Sequence, residues 1–393
     1  MPPPLSIMEY ILRYYQKEAV AAAVDYLQDK KANYPVILVL PTGSGKSLII
    51  ANIVKELNEP VLIFQPTKEI LQQNLNKYLS YGGEATIFSA SFNSKKISPV
   101  TFATIHSAIK NPDIFKVFKH IIIDECHYVN AKQGMYKKFL DNIGHKIIGL
   151  TATPFRLANN SYGSVLRFLT RTRPKIFQKV IHITQLYDLF NFYYLAKLEY
   201  KQIIGFDSSE LAVNSTGGDF TDYSVQRYYK MINFRAQLHE EVSKQMKKRK
   251  NVLVFTRFVE EAEYLVDKLG QGAAIVTAQT PAKERDRIIE DFRNGKIKVV
   301  ANVGILTIGF DYPELETVIL ARPTMSLALY YQMIGRCMRP YPKKSYSLVV
   351  DMCGNFERFG KIEDLHFTEP KKGLWQIENK EKVLTNIYYG KEE

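Results

Sequence analysis

Cysteine is scarce in this chain: 393 residues include three, Cys126, Cys337 and Cys353, each far from the others. Without a Cys-x-x-Cys pair there is no framework for a structural zinc or a disulfide scaffold, so three free thiols are expected. No apolar run approaches the roughly 20 residues that cross a bilayer, which argues against a membrane partner. The opening Met1-Pro-Pro-Pro-Leu has neither the charged nor the apolar region of a secretory signal, so a cytoplasmic location is expected. An internal repeat and a basic low-complexity tail are also missing. The chain is instead 46% hydrophobic and 24% charged, with a net charge of +13. That balance favours an anionic partner, nucleic acid above all.

Short β-branched runs alternate with helical patterns in the first half. Strands are expected at 36–40, 61–64, 86–89, 100–103, 121–124 and 147–151, with helices between them, as at 46–57 and 68–79. A second series starts near residue 251, with strands at 252–255, 273–276, 299–301, 317–320 and 347–350. Such alternation predicts α/β architecture, two doubly wound parallel sheets in tandem. Expected boundaries are 1–180 for the first domain, 181–240 for a variable linker, 241–365 for the second domain and 366–393 for a tail. In the middle, the aromatic run Phe190-Asn-Phe-Tyr-Tyr is read as helical packing, with base stacking as the alternative.

Leu40-Pro-Thr-Gly-Ser-Gly-Lys-Ser follows an apolar strand and precedes a helix, the layout of a phosphate-binding loop. Thr42, Gly43, Ser44 and Gly45 would wrap the phosphates with backbone N–H groups. Lys46 would reach the β/γ-phosphates and Ser47 would ligate Mg²⁺. Further on, Ile121-Ile-Ile-Asp-Glu-Cys-His ends a buried strand in adjacent acids. Asp124 would hold Mg²⁺ and Glu125 would polarise the attacking water.

In this order the motifs resemble those of the superfamily 2 helicases and translocases, with Asp-Glu-Cys-His as a variant of the DEAD/DEAH box. The resemblance implies two RecA-like domains, ATP and Mg²⁺ as cofactors, and a nucleic-acid partner. Leu12-Arg-Tyr-Tyr-Gln resembles the element in which Gln16 reads the adenine edge, with Arg13 or a neighbouring tyrosine packed on the base. Phe64-Gln-Pro-Thr and Thr101-Phe-Ala-Thr-Ile-His resemble the strand-end segments that follow the nucleic-acid backbone. They implicate Pro66, Thr67, Thr104 and His106, although each threonine could equally be a helix cap. Gly149-Leu-Thr-Ala-Thr-Pro resembles motif III, where Thr151 and Thr153, with His127 of the acidic box, couple hydrolysis to movement.

In the second half, Asn251-Val-Leu-Val-Phe-Thr-Arg resembles motif IV, with Thr256 and Arg257 facing nucleic acid. Ala301-Asn-Val-Gly-Ile-Leu-Thr-Ile-Gly-Phe-Asp resembles motif V, with Thr307 on the strand and Gly309 and Asp311 near the nucleotide. Tyr331-Gln-Met-Ile-Gly-Arg-Cys-Met-Arg resembles motif VI. There Gln332 positions water or phosphate, and Arg336 and Arg339 are arginine fingers, expected on one face of a helix. Several of these stretches are similar to the RadD-like DNA repair helicases, whose cysteine-rich zinc-binding region has no counterpart here. The reading is a motor acting on DNA, single-stranded or at junctions, with replication or repair proteins as further partners. An RNA helicase on the same core and a non-catalytic binding scaffold are the alternatives.

Overall fold

The computed structural model describes residues 10–143, 146–160, 163–215, 218–307, 310–380 and 382–385. Its contacts divide the chain into two units. The first takes residues up to 156, then 167–185 and 367–377; the second takes 157–166, 186–366 and the remainder.

In chain order, the first unit begins α1 (Tyr14–Gln28), β1 (Val36–Val39), α2 (Lys46–Leu57), β2 (Val61–Phe64) and α3 (Lys68–Ser80). It continues with β3 (Thr86–Ser89), β4 (Ser94–Lys95), β5 (Val100–Ala103), α4 (Ile105–Ala108), β6 (His120–Asp124), α5 (Met135–Asp141) and β7 (Lys146–Thr151). A hairpin of β8 (Phe155–Asn160) and β9 (Gly163–Phe168), residues 157–166 of which fall to the second unit, comes next in the chain, and the first unit resumes with β10 (Lys179–Ile183). The sheet order is β10-β1-β7-β6-β2-β5-β3-β4. Every pair is parallel except β3 with β4. Helices cover a parallel sheet on both faces, so its inner strands are apolar throughout rather than alternating. Val36–Val39 and Val61–Phe64 are buried at every position accordingly.

Helix α2 shows how sequence sets a local element. Ile49, Ile50, Ile53, Val54 and Leu57 recur at three- and four-residue spacing and are buried. The helix stops where Asn58 turns left-handed, φ 48°, while its N–H still bonds the Val54 carbonyl. The order β1-β7-β6-β2 sets the C-terminal ends of four strands side by side, and the phosphate loop, motif III, the acidic box and Gln65-Pro66-Thr67 follow them. Ligands of open α/β sheets bind at this edge.

The second unit holds α6 (Leu186–Asn191), β11 (Leu198–Gln202), α7 (Asp222–Met231), α8 (Phe234–Lys248), β12 (Val252–Thr256), α9 (Val259–Leu269) and β13 (Ala273–Val276). After these come α10 (Ala282–Arg293), β14 (Val299–Asn302), β15 (Thr317–Ala321), α11 (Leu327–Gly335), β16 (Ser347–Asp351) and α12 (Asn355–Phe359). Its sheet, β11-β16-β15-β12-β14-β13, is parallel throughout. The two sheets are those of tandem RecA-like domains.

Two boundaries differ from expectation. Residues 181–240 are not a linker: β10 pairs with β1 in the first sheet, β11 forms an edge of the second, and α7 and α8 pack into the second core. The segment from 366 is not simply a tail, because β17 (His366–Lys371) and β18 (Leu374–Glu378) form a hairpin. Gln185 ties residue 367 to the first unit, accepting the Phe367 N–H at 3.1 Å and donating to its carbonyl at 2.7 Å. Strands β10 and β11 are short, and their partners lie far away in sequence.

Candidate nucleotide site and nucleic-acid interface

The loop between β1 and α2 depends on two glycines. Gly43 has φ 86° and Gly45 φ 83°, left-handed values that disfavour any other residue. A Cβ on Gly45 would also lie 2.6 Å from the Gln16 amide nitrogen. Gln16 is buried, and both ends of its amide are engaged. Its oxygen accepts the Arg13 backbone N–H at 2.9 Å, and its nitrogen donates to the Ser44 carbonyl at 2.8 Å. Tyr15 adds a hydroxyl bond of 3.0 Å to the same carbonyl. Gln16 thus pins α1 to the loop, and reading an adenine edge would fall to its remaining lone pair and N–H. Arg13 and Thr42 are half-buried beside it.

Lys46, the first residue of α2, is ion-paired and hydrogen-bonded to Glu125. Glu125 lies just past β6 in the left-handed region, φ 49°, which turns its side chain back toward the loop. His127 Nδ1 stands 3.3 Å from the other Glu125 oxygen and 2.9 Å from Thr151 Oγ1. Thr151 Oγ1 also accepts the Thr153 N–H at 3.0 Å, and the Leu40 N–H closes onto the Thr151 carbonyl at 2.9 Å. One continuous set of contacts therefore joins the phosphate loop, the acidic box and motif III.

The two acids diverge in charge. Burial pushes the Asp124 carboxyl up from 3.8 to about 6, against the opposing pull of Lys46. Burial would raise Glu125 too, but the Lys46 ammonium and the His127 contact overcome it and hold this carboxyl well below the usual range. Ser47 donates to Asn74 Oδ1 at 2.6 Å, and Asn74 Nδ2 reaches Asp124 Oδ2 at 3.0 Å. Ser47 and Asp124 are thus held close together, as a Mg²⁺ shared with phosphate oxygens requires. Among the described residues no group of three or more His, Cys, Asp or Glu could hold a metal.

The sequence reading missed three contributors here: Asn74, Gln65 and Arg156. Arg156 donates to the carbonyls of His127 (2.5 Å) and Val129 (2.6 Å), bracing the turn after Glu125. Asn74 had left a signal, because it sits on the buried stripe Ile70, Leu71, Asn74, Leu75, Tyr78 of α3, where a polar residue needs a reason.

In the second unit, Arg336 donates to the Gln332 carbonyl at 3.1 Å and the Phe310 carbonyl at 2.9 Å. Arg339 pairs with Asp311 at 2.9 Å. The expected nucleotide-facing residues Gln332, Arg336, Arg339 and Asp311 therefore converge; Gly309 lies outside the described residues. One expectation is corrected. The arginines do not share a helix face, since α11 ends at Gly335, Arg336 is its cap and Arg339 lies in the turn beyond. Pro340 follows and cannot continue a helix.

The nucleic-acid candidates divide. Thr67 caps α3, accepting the Ile70 N–H at 3.3 Å, so the cap reading holds there, beside half-buried Pro66. Thr104 bonds the Ser89 and Ser107 hydroxyls, both at 3.1 Å, and His106 is exposed. Thr256 and Thr307 are buried and bond the carbonyls of Phe258 and Gly304. Arg257 does not face an open track. It turns inward to Asp222 at 2.9 Å, Asp219 at 3.2 Å and the Phe220 carbonyl at 2.6 Å. Helical packing likewise fails for Phe192 and Tyr193, which lie past the end of α6 and are exposed.

A phosphate loop wired to an acid pair, on one RecA-like unit of a tandem, defines the class of nucleotide-driven motor domains. Residues 9–156 match the family model "Type III restriction enzyme, res subunit", and residues 233–341 match "Helicase conserved C-terminal domain". The chain belongs to the superfamily 2 helicases, the ATP-dependent helicase class. It is 27% identical over 353 residues to a "51.5 kDa protein" of a Lactococcus phage (isolate 7-9), covering 88% of this chain and 71% of that one. It is 24% identical over 385 residues to "DNA 3'-5' translocase XPB2" of Sulfurisphaera tokodaii, covering 88% of this chain and 82% of the relative. Several other relatives are spanned for only about half of their length. The fold matches the DNA-bound Type ISP restriction-modification enzyme LlaBIII with a TM-score of 0.63 at 18% identity, covering 88% of this chain and 28% of that one. No helix among the described residues is long and apolar enough to cross a membrane.

Proposed function

We propose that this chain is a DNA-dependent ATPase that translocates along or remodels DNA. The observation that carries the reading is the run of contacts from Lys46 through Glu125 and His127 to Thr151. Without nucleotide, Lys46 neutralises Glu125. Phosphates entering the loop draw Lys46 toward their own charge, and Glu125, released, becomes able to accept a proton from water. His127 and Thr151 are positioned to pass that change to motif III. Ser47 and Asp124 would hold Mg²⁺, which would supply charge neutralisation on the phosphates. Arg336 and Arg339 are assigned to the charge that develops in the transition state.

Kinship supports DNA over RNA: one relative is described as a DNA translocase and one fold relative was solved on DNA. A role in repair, as in the RadD-like helicases, is the finer proposal. The test compares DNA and RNA strands of equal length and sequence as activators of ATP hydrolysis. Stronger activation by DNA supports the reading. Activation that requires the 2′-hydroxyl makes the chain an RNA helicase, and hydrolysis indifferent to both refutes the motor.

A further inference from the structure

We infer that Asn74, backed by Gln65, is the positioning residue that sets the two Mg²⁺ ligands Ser47 and Asp124 at their working separation. The inference rests on the nucleotide site proposed above and adds to it a residue outside the loop and the acidic box. Asn74 is buried and both ends of its amide are engaged. The oxygen accepts the Ser47 hydroxyl at 2.6 Å, and the nitrogen donates to Asp124 Oδ2 at 3.0 Å and to Gln65 Oε1 at 2.9 Å.

Chemistry fixes the amide's orientation. Asp124 already accepts the Glu125 N–H on its other oxygen, at 2.9 Å. As a carboxylate it can only accept, so the Asn74 nitrogen must face it. The oxygen is then left for Ser47, whose hydroxyl must donate. A serine hydroxyl that gives its proton away turns a lone pair outward, which is the state a cation ligand needs. Gln65 is wholly buried at the end of β2, and its Nε2 has no hydrogen-bond partner among the described residues. A buried donor left open is costly, so the acceptor Gln65 offers to Asn74 is held at some expense to the fold. The pair acts behind the metal ligands, where outer partners are worth about 10- to 100-fold in metal affinity.

The experiment measures ADP binding to the full chain by calorimetry, with EDTA and across a Mg²⁺ titration, for the wild type, Asn74→Ala and Gln65→Ala. For Asn74→Ala we expect ADP affinity in EDTA within about twofold of wild type and a Mg²⁺ midpoint raised about tenfold or more. Gln65→Ala should shift the midpoint the same way by less. Gln65→Ala also carries the test if Asn74→Ala fails to fold, as judged by its melting transition. Unchanged Mg²⁺ midpoints in the folded variants overturn the inference. So does an equal loss of ADP affinity with and without Mg²⁺, because that marks a general defect of the loop. Wild-type ADP binding that ignores Mg²⁺ also overturns the inference, whereas a wild-type chain that binds no ADP fails one step earlier and refutes the nucleotide site itself.

Discussion

The two units hold the charged residues expected at the nucleotide in opposite ways. In the first, Lys46, Glu125, Asp124, Ser47 and Asn74 satisfy one another at low exposure, beside the C-terminal ends of strands whose order is fixed by a buried sheet. In the second, Arg336 rests on two backbone carbonyls, and Arg339 on a single carboxylate at a partly exposed pair. A buried network is rigid, and each partner removed leaves another group uncompensated. A partly exposed pair is worth little to stability and is easily exchanged for a ligand. The first unit thus holds its charged groups rigidly, and the second keeps its arginines exchangeable.

The largest effect should come from cutting the first network at its centre. Glu125→Gln should lower nucleic-acid-stimulated turnover about 10²- to 10⁴-fold while the protein still binds ATP. A steady-state rate beside a binding isotherm checks both, and a variant that retains turnover removes Glu125 from the chemistry. A smaller effect concerns Asp124, whose folded pKa is raised from 3.8 to about 6 by burial. Between those values the folded chain binds more protons than the unfolded one, so this residue makes stability fall as pH rises through that window. The fall is at most about 3 kcal/mol. Melting temperatures from pH 4 to 7 in EDTA should show that component missing in Asp124→Asn, and parallel curves for the two proteins would contradict it. Smallest is Arg257→Ala in the second unit, expected to cost about 1–3 kcal/mol of stability by unpairing Asp219. Apparent DNA affinity should change less than threefold. A large loss of DNA affinity in a fully stable variant would restore Arg257 to the nucleic-acid track.

Much of this was legible in the sequence, for physical reasons. Strands buried on both faces are continuous apolar runs, so Val61–Phe64 could be bounded to the residue. The phosphate loop was legible because only glycine tolerates the conformations at 43 and 45. Local strings could not show what depends on distant partners. Arg257 reads as a strand-end cation until Asp219 and Asp222 are folded against it. β10 and β11 are edge strands with no strong periodicity, and each is recruited by a strand more than a hundred residues away in sequence. The end of α11 was readable from Pro340, but the three-residue spacing of the arginines suggested a longer helix.

The contrast between a holding unit and a releasing unit is tested most directly by measuring ATP affinity and turnover together in Arg336→Ala. The account predicts ATP binding within about threefold of wild type and stimulated turnover down about 10³-fold or more, as for an arginine that acts only on transition-state charge. Turnover that survives the substitution, or ATP binding that collapses with it, would contradict that division of labour.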